Sequence, residues 1–155
     1  MKNFKFLGLA AIASILAFSG CTRAEAVAPI LPLEASVGYV DNGVIDKEGV
    51  GINLGTEVNN VRFGLTAFTS SERLESYGAY AGVPFYVQGT KFGVVPQIRV
   101  ERYRDISETV GGIGLGVEYK LTDTVRFEAS GIAAKGFDNS DVDGGIYSLG
   151  FTKTF

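Results

Sequence analysis

Eight stretches of this chain alternate apolar with polar or small residues at period 2, which is the signature of strands with two different faces. They lie near 33–40, 50–58, 61–69, 76–86, 92–103, 110–120, 125–136 and 145–155. In the second, Val50, Ile52, Leu54 and Val58 share one face, and Gly51, Asn53, Gly55 and Glu57 the other. The third sets Val61, Phe63, Leu65 and Ala67 against Arg62, Gly64 and Thr66. The sixth sets Ile113, Leu115, Val117 and Tyr119 against Gly112, Gly114, Gly116, Glu118 and Lys120. The seventh opposes Val125, Phe127, Ala129 and Ala133 to Arg126, Glu128 and Ser130. Pro84 and Pro96, in the fourth and fifth, each remove a ladder donor and predict a bulge or strand end there.

Between the strands, Asn59-Asn60 and Leu121-Thr122-Asp123-Thr124 read as tight turns, while 41–49, 70–75, 104–109 and 137–144 are longer, polar and acidic. Short turns at one end and longer loops at the other are the pattern of a closed membrane barrel. With an even strand count both termini fall at the short-turn end. The last nine residues, Tyr147 to Phe155, carry Tyr147, Leu149, Phe151 and Phe155 on one face and stop on an aromatic carboxyl-terminal residue. That ending resembles the carboxyl-terminal signature of bacterial outer-membrane barrels. The segment Tyr119-Lys-Leu-Thr-Asp-Thr-Val-Arg-Phe-Glu128 similarly resembles the strand–turn–strand element of the OmpA/OmpX/Ail group of small barrels. The resemblance implies an all-β fold, a closed antiparallel eight-stranded transmembrane barrel of up-and-down connection. It also implies residence in the outer membrane of a Gram-negative-type cell with both termini periplasmic. Its partners would be outer-membrane lipids and the barrel-assembly machinery, which would read the final strand ending at Phe155.

The amino-terminal segment fits export. Lys2 and Lys5 precede an apolar run from Phe6 to Phe18, too short to span a bilayer as a helix but suited to a secretory leader. Two exits are open. Ala24-Glu25-Ala26 is an A-x-A site, giving a signal peptide of 1–26 and a barrel domain of 27–155. Phe18-Ser-Gly-Cys21 resembles a lipobox, giving a lipoprotein signal of 1–20 and a lipidated Cys21. The domain after Ala26 holds eleven basic and sixteen acidic residues once Lys2, Lys5, Arg23 and Glu25 are removed, a net charge of −5. That acidity argues against a nucleic-acid partner.

Charge placement distinguishes a membrane barrel from a soluble one. Parity puts Glu34, Glu57, Arg62, Arg99, Glu101, Glu118, Lys120, Arg126 and Glu128 on the face opposite the apolar one. A narrow lumen would have to pair them, since lone buried ions cost several kcal/mol each. The expected ionic cluster is Glu57, Arg62, Glu118, Lys120, Arg126 and Glu128, with Arg62 and Arg126 pairing with Glu57, Glu118 or Glu128. The inward glycines of the sixth strand are expected to make room for these side chains and for Tyr80. Phe63, Phe85, Phe92, Tyr119, Phe127 and Phe155 fall near the short-turn ends of their strands, and Tyr39, Tyr77 and Tyr147 near the other ends. That placement predicts two interfacial girdles. Lys153 faces outward near the short-turn end, where its stem can snorkel.

Candidate chemistry is sparse. The chain has no histidine, so the imidazole base of Ser-His hydrolases is missing. No catalytic residue, cofactor site or metal site is expected. Gly111-Gly-Ile-Gly-Leu-Gly116 lacks phosphate-loop spacing and lies within a strand. Asn139-Ser-Asp141-Val-Asp143-Gly144 partly imitates a calcium loop but lacks the first Asp and the closing Glu, and reads as a solvated acidic turn. Arg102 and Arg104, at the outer end of the fifth strand, could donate to a lipopolysaccharide phosphate. Three functions fit this pattern. They are a plugged, monomeric structural or surface barrel serving envelope integrity or surface interaction, a small ion-conducting porin-like channel, and a soluble lipocalin-like ligand-binding barrel.

Overall fold

A computed structural model describes residues 32–71, 73–139 and 141–155. Among the described residues nine strands follow one another: β1 (Leu33–Asn42), β2 (Lys47–Val58), β3 (Val61–Ser70), β4 (Arg73–Gly82), β5 (Phe85–Tyr86), β6 (Phe92–Tyr103), β7 (Glu108–Lys120), β8 (Val125–Gly136) and β9 (Asp143–Thr154). Each pairs antiparallel with its chain neighbour, except that β4 and β5 both pair with β6. β1 pairs with β9, so the sheet closes. The wall is therefore an eight-stranded up-and-down transmembrane barrel whose fourth strand is broken in two. The closing seam is tied by the Phe155 amide donating to the Leu33 carbonyl at 2.9 Å.

Both prolines contribute to the break. The Val83 amide donates to the Pro96 carbonyl at 3.1 Å. In an antiparallel strand the missing Pro96 donor points to that same side, so it falls opposite Val83-Pro84, where β4 gives way to β5. Across β7 the ladder is intact, with Pro96 opposite Leu115. One local defect thus absorbs two unusable positions.

The strands run further than their hydrophobic pattern. The connections expected at 41–49, 70–75, 104–109 and 137–144 shrink to 43–46, 71–72, 104–107 and 137–142. Polar side chains beyond the apolar stretches find partners and prolong the ladder. Asn42 Nδ2 donates to the Tyr103 hydroxyl at 2.8 Å, and the Glu108 carboxylate accepts the Asp138 amide at 2.8 Å. At the opposite end the connections are 59–60, 87–91 and 121–124. Asn59 and Asn60, both at positive φ, make the two-residue turn whose twist suits a hairpin. The two ends therefore differ little in loop length.

Alternation sorts the faces as the charges require. Leu54, Leu65, Ile98, Ile113, Leu115, Val117 and Leu149 are exposed on the outer wall, Leu115 at 58%. Arg62, Arg99, Glu101, Glu118 and Arg126 are buried inside. A soluble binding barrel has the opposite arrangement. The aromatic rings near the terminal end pair on the outer wall, Phe92 with Tyr119 at 4.8 Å between centroids and Phe127 with Phe151 at 5.4 Å.

Gly116 of β7 lines the space beside Arg62, Glu118 and Arg126, but room for Tyr80 comes from glycines other than those expected. Tyr80 lies across Gly64 and Gly55 of β3 and β2: a Cβ on Gly55 would meet the Tyr80 hydroxyl at 2.5 Å. The β7 glycines instead face Gln97 (Gly116) and Ile132 (Gly112), because Tyr80 leans toward β3 and away from β7. A Cβ on Gly64 would also lie 2.2 Å from the Leu54 carbonyl oxygen. Gly64→Val should therefore destabilise the barrel by about 1–3 kcal/mol. A urea midpoint lowered in lipid vesicles would show this, and an unchanged midpoint would contradict the packing described.

Candidate functional site

The ions of the lumen form separate layers. The layer nearest the termini is built around two arginines, Arg62 from β3 and Arg126 from β8. Arg62 places Nε 2.9 Å from Glu34, Nη2 3.1 Å from Glu57 and Nη1 3.0 Å from Glu118, with Glu128 at 3.7 Å. Arg126 grips both oxygens of Glu34 at 2.8 Å with its two terminal nitrogens, and its Nε bonds Glu128 and lies 3.2 Å from Glu118. A bidentate guanidinium–carboxylate pair is among the stronger ion pairs and fixes geometry as well as charge.

Strand register explains why these groups meet. Glu57 is directly opposite Arg62, a favourable pair. Glu118 is directly opposite Glu128, which would repel across β7 and β8 unless a cation sat between them. Arg126, two residues before Glu128, supplies that cation. The layer holds four carboxylates and two guanidiniums, an excess of two negative charges. The Glu57 and Glu128 side chains, 31% and 30% exposed, keep part of that excess hydrated.

Two residues expected near this cluster behave differently from the sequence reading. Lys120, expected in the ionic cluster, makes no ion pair among the described residues; its ammonium sits 3.7 Å over the Tyr86 ring. Lys120 is directly opposite Arg126, so like-charge repulsion turns it toward an aromatic face. Glu34 becomes a central partner of both arginines, because barrel closure through β1 and β9 brings it beside strands distant in sequence.

Further from the termini, Arg99 Nη1 contacts Glu101 at 3.2 Å, and Ser76 donates to Glu101 at 2.9 Å. At the far rim, Lys47 bridges Glu75 at 2.9 Å and Asp105 at 2.6 Å, and Arg73 reaches Asp105 at 2.9 Å. The Lys47 hydrogen bond, with Arg73 nearby, holds the Asp105 carboxyl below the usual carboxylate range. Sequence reading missed this rim. Lys47 continues the inward parity of Gly49 and Gly51, a usable signal. Glu75 sits at a register shift between β3 and β4, which parity cannot foresee.

Arg102 and Arg104 occupy the end of the barrel away from the termini. Arg102 continues the outward row Ile98, Val100 and donates to Thr109 at 3.1 Å, and Arg104 is exposed in the following turn. In the turn that imitates a calcium loop, the Asn139 side chain accepts the Asp141 amide, and Glu108 accepts the Asp138 and Asn139 amides. The Asn139 side chain is thereby used in shaping the turn. Cys21 and both leader exits lie outside the described residues.

Two small cavities are stacked in the lumen. One of about 60 Å³ touches Glu34, Arg62, Glu118, Arg126, Gln97 and Ser148. The other, of about 30 Å³, shares Ser36, Asn53, Arg99 and Ser148 with the first and reaches Val40, Phe68 and Ile146.

No family model matches this chain, and no curated protein sequence does either. Solved structures do match. The outer membrane protein Ail of Yersinia pestis, in a phospholipid bilayer nanodisc, is 17% identical, with 81% of this chain and 100% of that chain covered, at a TM-score of 0.55. Neisserial surface protein A is 18% identical over 81% and 97% of the two chains, at a TM-score of 0.55. The N-terminal β-barrel domain of Pseudomonas aeruginosa OprF is 14% identical over 80% and 97%, at a TM-score of 0.61. At such identities the likeness is one of fold, and the fold is that of the small eight-stranded outer-membrane barrels.

Proposed function

We propose that this chain, with the fold of small outer-membrane barrels, is a structural and surface protein of the outer membrane whose lumen is closed to ions. The observation that carries the reading is the sorting of side chains: an apolar outer wall, and ions buried and paired inside. Such a wall is stable against hydrocarbon and would be an aggregation liability in water. In this reading both termini are periplasmic and the turns at 43–46, 71–72, 104–107 and 137–142 face outside. Turns this short offer little surface, which favours a part in envelope integrity over a broad adhesive face. Arg102 and Arg104 then lie at the level of lipopolysaccharide phosphates, and the strand ending at Phe155 is the segment the assembly machinery would engage. The lumen ties its carboxylates to guanidiniums, which supports a role without catalysis.

Membrane fractionation, combined with gel migration before and after boiling, tests the reading. The protein is expected in the outer-membrane fraction, with a folded band that shifts on heating. Recovery in the soluble fraction would overturn it. The cavities in the lumen favour one other reading, a small cation-conducting pore, and steps in planar-bilayer recordings of the wild type would support it.

A further inference from the structure

The far end of the lumen is unlike the rest of it. Val40 of β1, Phe68 of β3, Tyr103 of β6, Val110 of β7, Ile132 and Ala134 of β8 and Ile146 of β9 form one buried apolar cluster across the barrel. Val44, Ile45 and Val142, from the turns beyond, pack onto it. β2 makes room: a Cβ on Gly51 would lie 2.6 Å from Val40 Cγ2, and one on Gly49 would lie 3.0 Å from the Phe68 ring. Tyr103 is fully buried, and its one polar atom is met by Asn42. The inward face of the barrel is therefore polar toward the termini and crossed by an apolar layer beside the charged far rim of Lys47, Glu75 and Asp105.

We infer that this apolar septum is what closes the lumen, and that the arginine–glutamate layer lines a wet vestibule. The inference rests on the closed-barrel reading above and assigns the closure to particular residues. The ionic layer is hydrated at the mouth through Glu57, and Glu128 lines both cavities on its inner side. The first of these, of about 60 Å³, is a space large enough for water. Glu118 lines that cavity; it is 1% exposed, and its Oε1 has no protein hydrogen-bond partner. The polar lining of the cavity, with Arg62, Arg126, Gln97 and Ser148 beside Glu118, offers a water the two to four partners it needs. The polar space continues past Asn53, Ser36 and Arg99 and ends against Val40, Phe68 and Ile146. Alongside the cluster, Glu101 is held by Ser76 and Arg99 and the Tyr103 hydroxyl by Asn42, so these polar groups are occupied, and a narrow constriction walled mainly by apolar side chains excludes water and ions by dewetting. Breaking an ion pair below would alter a region that is already wet. Replacing the septum would remove the barrier itself. Because the vestibule carries two excess negative charges, a lumen opened at the septum should prefer cations.

The test uses the full chain refolded into lipid vesicles, with folding of each variant verified by its heat-dependent gel shift. The double substitution Phe68→Ser, Ile132→Ser should raise potassium flux at least tenfold over wild type and give cation-selective reversal potentials. Arg62→Gln, with the septum intact, should leave flux within about twofold of wild type. Should the septum variant fail to fold, a labelling experiment decides. Ser148→Cys in a Cys21→Ala background should react with an impermeant thiol reagent added on the side of the termini and stay at least tenfold slower from the other side. Flux opened by Arg62→Gln alone, or equal labelling from both sides with the septum intact, would overturn the inference while leaving the membrane-barrel reading standing. Failure of the wild type to insert would instead sink that reading.

Discussion

Arg126→Ala is expected to cost this barrel about 3–5 kcal/mol of stability, the scale of removing one partner from a buried ion network. The side chain is buried and contacts carboxylates from three strands: Glu34 of β1, Glu118 of β7 and Glu128 of β8. Without it, Glu118 and Glu128 stand opposite each other with only Arg62 to screen them, and Glu34 loses its bidentate partner. Arg126→Lys should recover only part of the loss, since a single ammonium cannot reproduce the fork. Glu57→Gln should be mild, at most about 1 kcal/mol, because that carboxylate is partly hydrated and holds a single contact of the set. Urea unfolding in lipid vesicles followed by far-ultraviolet circular dichroism measures all three. Equal losses for Arg126→Ala and Glu57→Gln would show that the network is not organised around Arg126.

Much of this architecture was legible because the two faces of each strand meet such different surroundings. Period 2 alone placed Leu115, Leu149 and Phe127 outside and Arg62, Glu118 and Arg126 inside, since a slip of one residue would reverse every assignment. Pro84 and Pro96 announced a defect, though not that a single break would serve both. Three things were not legible. Partner choice within the lumen depends on closure, which no local pattern encodes, and so Glu34 stood apart from the expected cluster and Lys120 within it. The rim depends on Glu75, displaced by a register shift. The apolar septum was hidden because Val40, Phe68, Val110, Ile132 and Ile146 keep the inward parity while breaking the inward polarity. At strand ends this reads as lost alternation. It was in fact a change in what the interior holds.

Leu115→Arg should show whether hydrocarbon or water touches the outer wall. Leu115 lies near the middle of β7, opposite Pro96 of β6 and Gly131 of β8, and its side chain points away from the lumen. In a bilayer, an arginine at that depth should cost about 2–4 kcal/mol, because its guanidinium must reach water past a wall of apolar side chains. Val61→Arg supplies the depth control: it sits beside the Asn59-Asn60 turn, where the penalty should fall to about 0–1 kcal/mol. A soluble barrel would treat both as surface changes, each within about 0.5 kcal/mol of wild type. The difference between the two positions tests the surrounding solvent directly, since only a bilayer grades the penalty along the barrel axis. Unfolding free energies in vesicles should therefore rank wild type close to Val61→Arg and well above Leu115→Arg. Two equal and negligible losses would mean that the wall faces water.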